Sequence, residues 1–258
     1  GIDDATYRAV TEYHYGPGVT GAPATLADAA SAGLVYVADF AFLAKADAKA
    51  GSWLGMTKYL DVPVATFVYY PPMGRFPARL MPLAIRLGQS EGSKLVAPTH
   101  GNAWLRAKTA VQVSDIIWHE SRAHLGHTHL VMEAVAVSCE RTMASCHPLK
   151  ILLAPHYEFT MAINDFAKHH LVCPGGQVER YMATAIASFI GCAGTALADF
   201  DLLAMLPEKE LESRDVRDPN GIAVYPYRDD AIPVFRAIRK FVEEYVGLYY
   251  PDDLTVLG

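Results

Sequence analysis

Eight of the ten histidines fall between residues 119 and 170, and five of them, His119, His124, His129, His147 and His156, form an ordered series. Four, four, seventeen and eight residues separate them in turn. Neutral imidazole is the commonest side-chain ligand for transition metals, so this density points to metal chemistry. The repeat of five is unusual for a helix. An α-helix turns about 100° per residue, so a step of five rotates a side chain by about 140°. His124 and His129 would then point to different faces and share a metal only on a locally underwound helix. A π-bulge underwinds a helix in that way, and such bulges concentrate at functional sites. His124 and His127, at i and i+3, are the rival pair, because they share a face on an undistorted helix. Glu120 lies four residues before His124 and Glu133 four after His129. Either carboxylate could accept a hydrogen bond that orients an imidazole. A single histidine among Leu130, Val131 and Met132 is most simply a hydrogen-bonded core residue, but five at these intervals fit that reading poorly. The spacing also admits a hydrolytic zinc site. However, His119-Glu120 is followed by His124, one residue too far for HExxH, and there is no carboxylate cluster of the kind that holds calcium or magnesium.

The elements that must position these residues follow from periodicity. Ala103 to Ser138 contains no proline and one internal glycine, Gly126, and is expected to form one very long helix. A second helical run spans about Leu149 to Val172, interrupted near Pro155, and Cys173-Pro174-Gly175-Gly176 ends it. A third helix is expected from Val178 into the 190s, followed by Asp199 to Leu206. Glu208 to Asp218 reads as a short helix and solvated loop, and Asp218-Pro219-Asn220-Gly221 as a turn. Ile232 to Tyr249 is amphipathic. It carries Phe235, Ile238, Val242, Val246 and Tyr249 on one side and Arg239, Lys240, Glu243 and Glu244 on the other. Upstream, residues 1–32 are expected to be irregular apart from a short helix over 26–32, where Thr25 and Asp28 resemble a capping box. Leu34 to Phe42, Val62 to Tyr70 and Leu80 to Leu87 read as strands of a small antiparallel sheet. The expected fold is mainly α, with a small antiparallel β element near the N-terminus.

Composition narrows the classes. The chain has 258 residues, 52% of them hydrophobic and 19% charged, and a net charge of −6. This much apolar residue excludes disorder. The acidic balance, with no basic stripe, argues against nucleic acid as a partner. Cysteines 139, 146, 173 and 192 include no CxxC pair, so they read as buried free thiols. No Asn-x-Ser/Thr sequon occurs. The start, Gly1-Ile2-Asp3-Asp4, has neither a signal peptide's basic region nor a methionine, so a segment was removed or the chain belongs to a longer one. Tyr181 to Ala198 is uncharged, but its Ala, Gly, Ser and Thr make it a buried helix rather than a membrane span. Peripheral membrane contact stays open, and nothing selects a cytoplasmic or a secreted location.

The histidine series and its flanks resemble the signature of the lipoxygenases, the non-haem iron dioxygenases of polyunsaturated fatty acids. The flanks are Trp104-Leu105-Arg106-Ala107-Lys108, Thr128-His129-Leu130-Val131-Met132-Glu133, His147-Pro148-Leu149, Pro155-His156-Tyr157, Ile163-Asn164 and Gly175-Gly176. Weaker similarity extends from Leu34-Val35 to Tyr225-Pro226-Tyr227 and Glu244-Tyr245-Val246. The resemblance implies that residues 1–258 are part of a lipoxygenase-type helical catalytic domain. Residues 1–100 would be irregular with the small β element, and 101–258 a helical body carrying the ligand helix.

It implies further that His124 and His129 bind iron, with manganese as the alternative, while His119, His147 and His156 are structural. Glu120 stands where the family usually has Gln, a departure because an ionised carboxylate only accepts hydrogen bonds. Leu125, Ile163, Ala167, Leu171 and Val178 match positions lining the fatty-acid channel, and Tyr181 and Met182 match its end. Alanine at 167 implies an S product. The implied reaction is hydrogen abstraction from a bis-allylic carbon by a ferric hydroxide, with no catalytic side chain beyond that metal-bound hydroxide, and then addition of O2. Zinc, lacking redox chemistry, cannot serve there. The family's remaining ligands, a third His, an Asn and a C-terminal Ile carboxylate, have no counterpart here. A second chain or a cleaved segment is expected to supply them. Two rival readings are a non-catalytic lipoxygenase-like chain that binds apolar ligand or a partner, and a hydrolytic metal site at His124 and His127.

Overall fold

A computed structural model of the chain describes residues 1–44, 52–53, 55–218 and 221–252. Asp3 opens the first helix, α1 (Asp4–Tyr15), by accepting from Thr6 N–H at 2.8 Å. This corrects the expectation of an irregular N-terminus. The Gly16-Pro17-Gly18 turn dominates the local pattern, while the helix is held by burial of Tyr7, Val10 and Tyr15. The helix α2 (Leu26–Ser31) follows with the expected capping box between Thr25 and Asp28. The strands are β1 (Val35–Asp39), β2 (Ser52–Trp53), β3 (Met56–Thr57), β4 (Val64–Tyr70), β5 (Arg79–Arg86) and β6 (Leu95–Val96). Then come α3 (Asn102–Trp118), a π-wound segment (His119–Leu130) and α4 (Val131–Thr142), which run on without a break. The remaining helices are α5 (Pro148–Tyr157), α6 (Thr160–His170), α7 (Gln177–Tyr181), α8 (Ile186–Ala198), α9 (Pro207–Ser213) and α10 (Pro226–Tyr249). Mainly α with a small antiparallel sheet is therefore the observed class.

The chain divides into two units, Gly1–Gly126 with Ala167–Ala198, and His127–Phe166 with Asp199–Gly258. In the first, β1, β4, β5 and β6 form one antiparallel sheet in that order, and β2 pairs with β3. Val, Thr, Phe and Tyr crowd β4, which suits a half-buried pleated surface. A register shift at Thr66/Phe67 brings Phe67 opposite Pro82. The bulge accommodates a residue that cannot donate to the ladder. The expected strands thus form, while β6 and the β2–β3 hairpin are too short to register in the sequence. Tyr7, Val10 and Tyr15 of α1 pack with Val68, Tyr70 and Leu83 of the sheet. A second cluster joins Ala65, Ile85 and Val96 to Ala107, and a third gathers Phe40, Leu43 and Ile117 with Met182.

In the second unit Ala136, Cys139 and Tyr157 form the core, with Met132, Val135 and Leu153 against it. The helical run after residue 149 is interrupted near Pro155, as expected, where α5 ends at Tyr157. Pro155 stays inside α5, and the chain turns at Phe159, whose φ is 63°. The third predicted helix is also divided, because Met182 is extended between α7 and α8. Asp199 to Leu206 is not helical. The helix α10 starts earlier than predicted, and Ile238 and Tyr249 of its presumed inner face are exposed. Arg228 at its start is buried and donates to the carbonyls of Ile222 (2.7 Å) and Ala223 (3.2 Å). Across the predicted turn, Gly221 N–H donates to Asp218 O at 3.2 Å, while Pro219 and Asn220 lie outside the described residues, as do Asp253 to Gly258. Among the described residues, no helix is long and apolar enough to cross a membrane.

Candidate metal centre

The underwinding that the five-residue repeat demands is present. His119–Leu130 is π-wound over its whole length between two ordinary α-helices. Its i→i+5 hydrogen bonding brings residues five apart to nearly the same side. The effect is visible in His119 and His124, whose rings stack with centroids 6.2 Å apart and planes 24° apart. Gly126 lets the segment approach α8. A Cβ there would lie 2.9 Å from Ala196 Cβ and 3.1 Å from the Ala193 carbonyl. Ser121, also buried, donates back to Ile117 O at 2.6 Å, which occupies its hydroxyl inside the helix.

Each expected ligand has its Nδ1 engaged by an acceptor. His124 Nδ1 is 2.7 Å from Glu120 Oε2, and Glu120 Oε1 is 3.8 Å from His119 Nε2, so one carboxylate contacts both rings. His129 Nδ1 is 2.7 Å from Asn164 Oδ1 on α6. Asn164 in turn donates Nδ2–H to Glu133 Oε2 at 2.6 Å and to His129 O at 3.2 Å. Carboxylate and carbonyl oxygens accept only, so each ring donates from Nδ1, and in the neutral form its Nε2 is the ligating nitrogen. That is the tautomer a metal ligand needs, oriented as metal-binding histidines usually are. Each ring, taken by itself, therefore has the hydrogen bonding of a metal-binding histidine. Among the described residues, no group of three or more His, Cys, Asp or Glu side chains is placed to hold one.

The sequence identified Glu120 as a direct partner of its histidine, and it is one. Glu133 acts one step removed, through Asn164. In the sequence Asn164 stands out only within the Ile163-Asn164 motif, and its bond across 35 residues has no local signal. His147 does not join the pair. It caps α5 by accepting from Leu149 N–H at Nδ1 (3.2 Å). His156 is exposed on the same helix. His127, the rival ligand, lies against Phe200 with ring centroids 5.5 Å apart, and the π winding removes the i, i+3 register of an α-helix.

Four of the expected channel residues are linked through the backbone. Leu171 N–H donates to Ala167 O (2.9 Å), Val178 N–H to Leu171 O (3.1 Å) and Met182 N–H to Val178 O (2.9 Å). Lys58 stiffens this corner by donating to the carbonyls of Met182 (2.7 Å) and Glu179. Leu125, Ala167, Leu171, Val178 and Met182 are half-buried, whereas Ile163 is 50% and Tyr181 81% exposed. The second unit holds a cavity of about 730 Å³ near Glu140, Lys150, Tyr157 and Phe159, and none of the expected channel residues lines it.

Comparison with known proteins adds a family. A family model described as Lipoxygenase matches residues 78–258. A linoleate 9/13-lipoxygenase of Pseudomonas aeruginosa is 38% identical over 246 residues, covering 91% of this chain and 35% of that protein. The hydroperoxide isomerase ALOXE3 of Homo sapiens is 35% identical over 227 residues, covering 87% of this chain and 30% of that protein. The crystal structure of a coral 8R-lipoxygenase superposes with a TM-score of 0.78 at 28% identity, covering 89% of this chain and 33% of that one. The chain spans about a third of the length of the curated relatives it matches.

Proposed function

Since the chain belongs to the lipoxygenase family, we propose that it carries part of the metal site and acyl channel of a dioxygenase acting on polyunsaturated fatty acids. One observation carries this reading. Two imidazoles five residues apart stand on a π-wound helix, each with Nδ1 engaged by an acceptor. His124 and His129 would hold a non-haem iron, with manganese as the alternative, and residues beyond these 258 would supply the other ligands. When bound, that metal supplies the one-electron redox couple needed to take a hydrogen atom from a bis-allylic carbon. The chain's own residues do the rest. Glu120 and Asn164 hold the two rings in orientation. Leu125, Ile163, Ala167, Leu171, Val178, Tyr181 and Met182 would meet the acyl chain, whose length suits a long apolar channel. The Ala167 methyl would shield one end of the pentadiene from O2, directing an S hydroperoxide.

The test is oxygen uptake and conjugated-diene absorbance on feeding linoleate to the native protein, with metal content measured in parallel. Stoichiometric O2 consumption, diene formation and bound iron or manganese are expected. A preparation with no redox metal and no hydroperoxide would overturn the reading and leave the non-catalytic one. Bound zinc with hydrolase activity would favour the hydrolytic one. The likeness to a hydroperoxide isomerase supports a second reading, in which the same site rearranges a fatty-acid hydroperoxide. Loss of added hydroperoxide without O2 uptake would distinguish it.

A further inference from the structure

We infer that Asn164, polarised by Glu133, is a positioning residue that locks His129 in the tautomer protonated at Nδ1. The three residues belong to one unit, with His129 and Glu133 on one continuous helix and Asn164 on α6. The amide's direction is compelled by its surroundings. Asn164 Nδ2 lies 2.6 Å from Glu133 Oε2 and 3.2 Å from the His129 carbonyl, both of which only accept hydrogen bonds. A flipped amide would aim its oxygen at two acceptors and leave its NH2 facing the imidazole. Oδ1 must therefore face His129 Nδ1, which it does at 2.7 Å, and the ring must donate from that nitrogen. Glu133 thus sets the proton position on an imidazole it does not touch. The two expected ligands are consequently oriented by different chemistry. His124 is held directly by a carboxylate, and His129 by a neutral amide whose polarity a carboxylate sets. The functional meaning of this lock rests on the metal-site reading, but the lock itself does not.

The test is nitrogen NMR of histidine-labelled, metal-free protein above the usual imidazole pKa range, together with manganese and iron titrations of the same samples. His129 in the parent is expected to be protonated at Nδ1 and unprotonated at Nε2. Asn164→Leu should give a mixture of tautomers and weaken metal binding by about 10–100-fold. Glu133→Gln keeps the shape and, if the Leu variant fails to fold, stands alone. It removes one of the two acceptors that fix the amide, leaving the His129 carbonyl, and should shift the tautomer part of the way. A His129 protonated at Nε2 in the parent, or a tautomer unmoved in both variants, overturns the inference whatever the metal titration gives. A tautomer that depends on Asn164 in a protein that binds neither metal supports the lock and overturns the metal reading instead.

Discussion

Glu120 Oε2 and His124 Nδ1 lie 2.7 Å apart within one turn of the π segment, and the same carboxylate reaches toward His119, whose ring stacks on that of His124. One acidic side chain thereby organises two of the three leading histidines. Replacing it with alanine is expected to weaken metal binding by about 10–100-fold. Glutamine still accepts through its amide oxygen, and should lose less than about tenfold. Metal titration of both variants checks the ordering. An alanine variant with parental affinity would show that the bond has no part in holding the site.

Gly126 is the position where the π segment can least tolerate a side chain. Gly126→Ala should cost about 1–3 kcal/mol through overpacking, because the new methyl would press on Ala196 and the Ala193 carbonyl. In the same background Ala196→Gly should recover part of that loss. Denaturant unfolding of both single variants and the double variant measures the coupling. Strict additivity would mean that the clash is relieved elsewhere.

Alkali should attack the first unit through its buried phenols. Burial and the neighbouring Tyr70 push Tyr7 from its ordinary 10 up to about 12, and burial raises Tyr15 and Tyr70 as well. The fold favours the neutral form, so this contribution is complete below pH 10 and is lost as pH rises through about 12. Unfolding free energies measured across that window should fall more steeply in the parent than in Tyr7→Phe, which also lacks the hydrogen bond to Pro23 O. Parallel pH profiles would refute this account.

Ala167→Gly should move the product from S toward R, because the proposed shield over one end of the pentadiene is removed. Chiral chromatography of the hydroperoxide is the measurement. The variant should cost only about 0.5–1 kcal/mol of stability, as expected for glycine within α6. Unchanged chirality in an active variant would mean that Ala167 only packs.

The sequence by itself determined the long helix, and it offered underwinding and a Glu120–His124 bond as possibilities beside the undistorted His124–His127 pair. All of these depend on residue spacing along one element, and helix geometry converts spacing into direction. It also located the three main strands and the Thr25 cap, whose signals are local. Only the tertiary structure decided that Asp4–Tyr15 is a helix, since the burial of Tyr7, Val10 and Tyr15 against the sheet outweighs a neighbouring Gly-Pro-Gly turn. Tertiary structure likewise set where the break near Pro155 falls, at Glu158 and Phe159. A proline forfeits one backbone bond yet keeps a helical φ, so α5 runs on to Tyr157 and leaves the helix at Glu158, whose ψ is 134°, before the left-handed Phe159. Asn164 marks the clearest boundary between the two kinds of information. Its bond to His129 spans 35 residues, and no periodicity within either helix can say which amide will meet which ring.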